Sequence, residues 1–215
     1  MSLKLYFHPL ASFCQKVLIA LYECETPFER HIVDLGDDAS RAAFLKIWPI
    51  GKFPVLRDEA RGRTIPESSI IIEYLALHHS GNAKLLPADP DLALQARLSD
   101  RFYDCYVEVP MQKVITDRLR PAGQNDAHGV EQAKTLLQTS LGVIDREMAT
   151  KTWAIGDTFS IADCAAAPAL FYANMVQPFG DNHKNVAAYF NRLKQRPSFA
   201  QVLEEAQPYL NMVPK

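Results

Sequence analysis

A proline inside an apolar extended run is the feature that most constrains how this chain can fold. Residues 51–56 read GKFPVL, a pattern typical of a short β-strand, and Pro54 has no N–H group to donate to a sheet ladder. We therefore expect Pro54 to lie at a sheet edge or to open a strand, where the Phe53–Pro54 bond can also adopt the cis form. Backbone groups of Val55 are then left for an extended ligand.

A second motif begins where an apolar helical pattern starts. Residues 66–75 read PESSIIIEYL, and they predict a helix over 68–78 that begins at Ser68. The first turn of a helix offers free backbone N–H groups, which bind carboxylates, and the carboxylate of Glu67 can accept hydrogen bonds from an amino group. With an extended peptide paired to the backbone of Val55, these residues suit the zwitterionic amino-acid end of a peptide.

The two motifs together resemble the glutathione-binding half of the cytosolic glutathione transferase family. KLYFHP at 4–9 and FSIAD at 159–163 agree with that family in order and spacing, so the resemblance covers essentially all 215 residues. It implies a homodimeric detoxification enzyme that uses glutathione as co-substrate and activates its thiol for attack on small hydrophobic electrophiles. Glutathione binding is implied for Lys52, Phe53, Val55, Glu67 and Ser68, with Lys52 neutralising the glycyl carboxylate.

The order of strand and helix patterns predicts an α+β fold. Strands are expected at 3–7, 28–33, 53–56 and 63–65, with helices at 14–23, 40–47 and 68–78 between and after them. This strand–helix–strand, helix, strand-pair and helix order is thioredoxin-like, and its right-handed crossover makes the first two strands parallel. We expect a thioredoxin-like N-terminal domain over 1–80, ended by Ser80-Gly81-Asn82.

The rest of the chain is predicted to be a linker followed by helices alone. Pro87 and Pro90 break any helix within the linker at 81–91, and an all-α C-terminal domain occupies 92–215. Helices are expected at 92–107, 129–150, 161–174, 185–195 and 198–205, with Pro110 among the residues that separate them. Ser160 and Asp163 have the spacing of a capping box, which favours a folding role for Asp163 over a catalytic one.

The charge distribution and the spacing of the cysteines argue against nucleic-acid, membrane and metal partners. The 23 basic and 25 acidic residues are interspersed and give a net charge of −2, which provides no footprint for nucleic acid or an anionic membrane. The N-terminus shows no leader pattern and no apolar run reaches spanning length, so a soluble cytoplasmic protein is expected. The four cysteines are widely spaced without a C-x-x-C pair, so neither a zinc site nor a dithiol redox motif is predicted, and no metal is expected.

The thiol-activating group is expected between the first strand and the first helix. The resemblance places a serine or cysteine in this segment, but counting back from Val17 that position falls on Ala11, with Ser12 one residue later. Ser12 is the preferred catalytic residue, because it combines a hydroxyl donor with the positive end of a helix dipole. Cys14 and Tyr6 remain open alternatives, and Ser12 can also be read as a simple helix cap.

The hydrophobic acceptor site is expected where the second domain faces the start of the first helix. Its candidates are Leu10, Phe13, Tyr103, Tyr106 and Met111, although the last three also fit a core stripe at helical spacing. Two other functions remain open. One is a non-catalytic glutathione- or ligand-binding protein, since fold does not fix activity and Ala11 removes the expected side chain. The other is a glutathione-dependent isomerase or dehalogenase on the same scaffold.

Overall fold

The chain forms two compact units. The structure is a computed structural model that describes residues 2–79, 81 and 84–214. The units are Met1–Leu85 and Leu86–Lys215, so the division falls inside the segment expected to be a linker. Ser80 and Asn82, which were expected to end the first domain, lie outside the described residues, as does part of the linker.

The first unit has a four-stranded sheet. Its elements are β1 (Leu3–Phe7), α1 (Ser12–Glu23), β2 (Glu29–Ile32), α2 (Asp38–Ile47), β3 (Val55–Asp58), β4 (Arg63–Pro66) and α3 (Ser68–His78). The strand order is β2-β1-β3-β4, with β1 parallel to β2 and both other pairs antiparallel. The predicted thioredoxin-like α+β fold is confirmed, and each predicted strand and helix of this unit occurs with ends shifted by no more than two residues.

The strand order brings three distant segments to one end of the sheet. Because β3 is antiparallel to both of its neighbours, β1 and β4 run in the same direction. Tyr6, Val55 and Pro66 stand in register across these strands. We call this the Pro54 end of the sheet. It contains the end of β1, the start of β3 and the end of β4, and both α1 and α3 begin there.

The two helices that begin at the Pro54 end pack against each other. Lys16 on α1 is 1% exposed, and its Nζ donates a hydrogen bond to the Ser69 Oγ on α3 at 2.9 Å. A buried polar group needs such partners, because burial without a hydrogen bond is costly. This contact therefore ties the starts of α1 and α3 together.

Pro54 opens a strand rather than lying on a sheet edge. It directly precedes β3, and the Phe53–Pro54 peptide bond is cis, as expected. The expectation of an open sheet edge at this point is wrong, because β3 lies between β1 and β4. Val55 consequently has a strand on each side, opposite Tyr6 and Pro66, and the sequence did not reveal this because strand order depends on long-range pairing.

The second unit is helical. Its elements are α4 (Pro90–Phe102), a π-helical segment (Tyr103–Glu108), α5 (Val109–Asp117), α6 (Ala127–Glu147), α7 (Ile161–Val176), α8 (Lys184–Gln195) and α9 (Pro197–Ala206), with 3-10 turns at Asp181–His183 and Gln207–Met212. The expected all-α domain is confirmed, apart from an isolated β-bridge between Trp153 and Gly156. None of the helices within residues 2–79 and 84–214 has the length and apolarity needed to cross a membrane.

Two prolines expected to interrupt helices are accommodated by them. Pro90 lies in the first turn of α4, where its missing N–H is unneeded, and Asp89 caps the helix by accepting from the Leu92 N–H at 2.9 Å. Pro110 lies in the first turn of α5, directly after the π-helical segment. The wider turn of a π-helix changes the local hydrogen-bond pattern, which allows the helical path to continue past Pro110 to Asp117.

The predicted capping box at the start of α7 is confirmed. The Ser160 side chain caps the helix, and Asp163 Oδ2 accepts from the Ser160 backbone N–H at 2.9 Å. Asp163 Oδ1 accepts from the Ala154 N–H at 2.8 Å and from the Tyr189 hydroxyl at 2.6 Å. Burial raises the pKa of Asp163, and these hydrogen bonds oppose the rise. Asp163 therefore joins three parts of the second unit.

Removal of this carboxylate should destabilise the protein more than removal of the capping hydroxyl. Asp163→Asn places an amide NH₂ group among buried donors, and we expect a loss of about 2–4 kcal/mol in the free energy of unfolding. Ser160→Ala should lose about 1–2 kcal/mol. Urea denaturation measures both, with the exposed Asp157→Asn as a control expected to change stability by less than about 0.5 kcal/mol. Equal stability of Asp163→Asn and the control contradicts the assignment.

Candidate active site

Glu67 has an unusual backbone conformation at the start of α3. Its φ is 70° and its ψ is 116°, and outside glycine the described chain has only one other positive φ, at Glu25. Such a conformation costs about 1–3 kcal/mol for a residue with a Cβ atom. The exposed Glu67 carboxylate has no hydrogen bond or ion pair with any residue in the described part of the chain. The strain therefore has no evident role in folding, which marks Glu67 as a binding candidate.

The start of α3 offers unused hydrogen-bond donors. Glu67 occupies the N-cap position, but its side chain makes no capping hydrogen bond. Ser68 is buried, and neither its N–H nor its hydroxyl bonds to another described residue. Free N–H groups at a helix start, together with the helix dipole, attract anions. Ser68 is therefore placed to receive a carboxylate while Glu67 accepts from a cation.

Phe53 supplies the extended backbone that was expected from Val55. Val55 lies within β3 between two partner strands, whereas Phe53 lies ahead of the strand. Within residues 2–79, 81 and 84–214, no backbone hydrogen bond is made by the Phe53 N–H or C=O group. A peptide at the Pro54 end can therefore pair with Phe53, and the sheet-edge argument no longer supports direct backbone pairing with Val55.

Lys52 adds a positive charge next to Phe53. Its side chain is exposed, and it forms no ion pair with the residues that the structure describes. Lysine presents a compact charge on a flexible stem, which suits a peripheral carboxylate. The location agrees with the expected contact to the end of a peptide, although the contact itself stays a prediction.

The start of α1 is held by a compact turn. The Ala11 N–H donates to the His8 carbonyl at 3.0 Å, and Gln15 Nε2 donates to the Pro9 carbonyl at 2.8 Å. Ala11 is the N-cap residue and has no side-chain acceptor, so no side chain caps the first turn of α1. Ser12, which is 5% exposed, is the first residue of the helix. A hydroxyl and helix-start N–H groups therefore occur together there, as the Ser12 assignment requires.

The two alternatives to Ser12 are less suited to activating a thiol. Cys14 is completely buried, and burial raises the pKa of its thiol, which disfavours the thiolate. Tyr6 stacks on His31 with ring centroids 4.9 Å apart and packs against Phe44 at 6.2 Å. The Tyr6 ring is thus part of the apolar cluster beneath α2.

The acceptor-site candidates differ in exposure. Leu10 and Phe13 are half-buried beside the start of α1 in the first unit. In the second unit, Tyr106 is 49% exposed, whereas Tyr103 and Met111 are buried. The Tyr103 ring lines a cavity of about 130 Å³ between α4 and α6.

The Tyr103 hydroxyl takes part in an internal polar network. Burial raises the pKa of Tyr103, with Asp163 acting in the same direction, while a hydrogen bond with Tyr189 opposes the rise. Tyr103 is therefore involved in core packing, and its role in an acceptor site stays a prediction. Among the described residues, no group of His, Cys, Asp and Glu is arranged to hold a metal ion.

Comparisons with known proteins identify the family. The description "Glutathione S-transferase, N-terminal domain" matches residues 5–83, and "Glutathione S-transferase, C-terminal domain" matches residues 102–197. The chain also superimposes on a glutathione S-transferase from Methylobacterium radiotolerans in complex with glutathione sulfonate, at 30% identity over 93% of both chains, with a TM-score of 0.80. The chain belongs to the cytosolic glutathione transferase family.

Two further relatives show the range of this family. A glutathione S-transferase from Methylobacillus flagellatus, with glutathione bound, is 25% identical over 94% of this chain and 98% of that one, with a TM-score of 0.84. FtsZ-localized protein A of Caulobacter vibrioides is 28% identical over 96% of this chain and 92% of its own length. The name of the second protein states a location rather than a transfer reaction.

Sequence reasoning missed two residues that shape the turn before α1. His8 accepts a hydrogen bond from the Leu10 N–H at its Nδ1, at 3.2 Å, and Gln15 anchors the carbonyl of Pro9. A histidine directly before a proline, at the end of a strand, was the available signal for a side chain that shapes the turn. Gln15 carried no comparable signal, because a glutamine within a helix is usually a surface residue.

The strain at Glu67 can be measured by comparing two substitutions that both remove the carboxylate. Glycine adopts positive φ without a steric penalty, so Glu67→Gly should be more stable than Glu67→Ala by about 1 kcal/mol. Guanidinium denaturation of both variants gives this difference. The same pair at Glu131, exposed within α6, should show the opposite sign, because glycine is about 1 kcal/mol worse than alanine in a helix. If alanine is the more stable residue at both positions, Glu67 is unstrained.

Proposed function

We propose that the protein is a glutathione transferase that binds glutathione at the Pro54 end of the sheet. The observation that carries the proposal is the combination of two helix starts without capping side chains and the strained, unpartnered Glu67 at one end of one sheet. Bacterial relatives with glutathione or glutathione sulfonate bound support the ligand. We extend the proposal to a cytoplasmic homodimer that acts in detoxification, on the basis of family membership.

The charged groups match the two ends of glutathione. In the proposal, Glu67 accepts the α-amino group, while the Ser68 hydroxyl and N–H donate to the neighbouring carboxylate. The central cysteinyl residue pairs with the backbone of Phe53. Lys52 neutralises the glycyl carboxylate, and Val55 supports the site from within β3.

The same placement brings the thiol toward α1. A cysteinyl residue that pairs with Phe53 lies at the start of β3, and β1 is the adjacent strand. α1 begins five residues after β1 ends, so the start of α1 lies at the same end of the sheet as this cysteinyl residue. The Ser12 hydroxyl then donates to the sulfur, and the dipole of α1 favours the thiolate. Leu10 and Phe13 provide apolar surface beside it for the electrophile.

A non-catalytic glutathione-binding protein is the second candidate. Ala11 stands where the family resemblance places a hydroxyl or thiol. One relative of this chain, FtsZ-localized protein A, is named for a location rather than for a transfer activity. The two candidates differ in the state of the bound thiol. Ultraviolet absorbance of bound glutathione at neutral pH shows a thiolate for the transferase and a protonated thiol for the binder. A turnover screen with aryl halides, epoxides and isomerisable or halogenated substrates then separates transferase from isomerase or dehalogenase.

Glutathione affinity should depend on Glu67 and Ser68. Loss of a charge-assisted hydrogen bond costs about 1.5–3 kcal/mol, so Glu67→Gln and Ser68→Ala should each weaken binding by about that amount. Isothermal calorimetry measures the change. Glu25→Gln is a matched control, because Glu25 also has a positive φ but follows α1 at the opposite end of that helix. Unchanged glutathione affinity in both site variants would contradict the assignment of Glu67 and Ser68 as binding residues.

Thiol activation should depend on Ser12 without a matching loss of affinity. The ends of the peptide carry binding, whereas the hydroxyl acts on the sulfur alone, so Ser12→Ala should raise the pKa of the bound thiol. The rate at neutral pH should then fall by about 10²–10³ if this donor dominates, and recover at higher pH as the thiol ionises. Tyr6→Phe and Cys14→Ala should have mild effects. The pH–rate profiles of the three variants measure this, and a larger shift in Tyr6→Phe makes the Ser12 assignment wrong.

A further inference from the structure

The turn before α1 is closed by the side chain of its own first residue. His8 Nδ1 accepts from the Leu10 N–H at 3.2 Å, while the His8 carbonyl accepts from the Ala11 N–H at 3.0 Å. The side-chain bond spans two residues, as in the turns that asparagine and aspartate form with their own backbone. Pro9 fixes one φ angle inside the same turn. His8 thus sets the backbone path that leads directly into the N-cap of α1.

The same imidazole contacts a second segment of the site. The rings of His8 and Phe53 are stacked with centroids 6.3 Å apart and an interplanar angle of 24°. Phe53 also packs against Phe44 of α2, with centroids 6.2 Å apart, which further restrains its ring. His8 therefore connects the turn before α1 to the residue whose backbone pairs with the peptide in the proposed function.

The hydrogen bond to Leu10 defines the state of the ring. Because Nδ1 accepts, the proton of the neutral imidazole is assigned to Nε2. Burial lowers the pKa of His8, and the carboxylate of Asp34 acts in the opposite direction. The neutral ring is thus favoured at neutral pH, and Nδ1 is available as an acceptor there.

We propose that His8 is a positioning residue for thiol activation, which aligns the helix-start donors and the Ser12 hydroxyl with the peptide held at Phe53. This inference rests on the proposed function, and His8 acts through the backbone of Leu10 and Ala11 rather than on the sulfur itself. Stabilisation of an anion by preorganised donors depends on their placement to a fraction of an ångström. A loosened turn therefore weakens activation while the groups that hold the charged ends of the peptide are unchanged.

Three substitutions separate the two contacts of His8. Asparagine places an acceptor close to the position of Nδ1 but removes the ring, phenylalanine keeps a ring for Phe53 but removes the acceptor, and alanine removes both. We expect His8→Phe and His8→Ala to raise the pKa of bound glutathione by about one unit and to lower kcat/KM at neutral pH about tenfold. His8→Asn should remain within about threefold of the parent. Glutathione affinity from calorimetry should change by less than about threefold in all of them.

The measurements are thiolate absorbance of bound glutathione against pH, kcat/KM with an aryl halide, and urea denaturation of each variant. If His8→Asn shows the same shift as His8→Ala, or if His8→Ala keeps the parent's thiol pKa, the positioning role is overturned. A loss of stability without a shift in the thiol pKa also overturns it, because that result shows a structural role alone. If the parent itself binds glutathione without forming a thiolate up to about pH 9, the proposed transferase function fails instead.

Discussion

The arrangement of the candidate site depends on β3 being antiparallel to both of its neighbours. This single constraint makes β1 and β4 run in the same direction, so the helices that follow them begin at the same end of the sheet. The amino ends of α1 and α3 carry partial positive charge and have no capping side chain, and side by side they repel each other. An anionic ligand relieves this repulsion. The fold itself therefore supports the proposed anion site at this end before any special side chain is considered, and the roles proposed for Glu67 and Lys52 add specificity to it.

The starts of α1 and α3, which have no capping side chain, can be compared with the starts of the other helices. Helices α2, α4, α6 and α7 each begin with a side chain that accepts from the first turn, at Asp37, Asp89, Asp126 and Ser160. Helices α8 and α9 also lack such a side chain, so a missing cap alone does not mark a site. What distinguishes α3 is that its N-cap residue is also held at positive φ with an exposed carboxylate. Strained backbone of this kind is concentrated at functional sites, which supports Glu67 as a binding candidate.

The local patterns predicted nearly all of the first unit, because strands and helices there follow short-range periodicity and turn chemistry. The capping box of Ser160 and Asp163 was predictable for the same reason. The interior place of β3 was not, since it depends on pairing between segments more than forty residues apart, such as Tyr6 and Val55. The path through Pro110 was missed because the π-helical segment before it has no simple sequence signal. Among the candidate site residues, Ser12 and Glu67 were predicted from their positions at helix starts, whereas the turn that His8 closes has a geometry that only the fold reveals.

Ala11 stands where the family resemblance places a hydroxyl or thiol, so in the proposed function thiol activation depends on other groups at the start of α1. A cysteine thiol has a pKa near 8.5, and lowering it by two units requires about 2.7 kcal/mol of preference for the thiolate. A helix dipole supplies about 0.3–1 kcal/mol at exposed sites and about 2 kcal/mol in favourable partly buried ones. The helix dipole alone therefore supplies less than the free energy needed to lower the thiol pKa by two units. A hydrogen bond to a charged group adds about 1.5–3 kcal/mol, and the Ser12 hydroxyl is the side-chain donor at the first residue of α1. In the proposed function, transferase activity therefore depends on whether the Ser12 hydroxyl donates to the sulfur, and the role proposed for His8 is to position that donor.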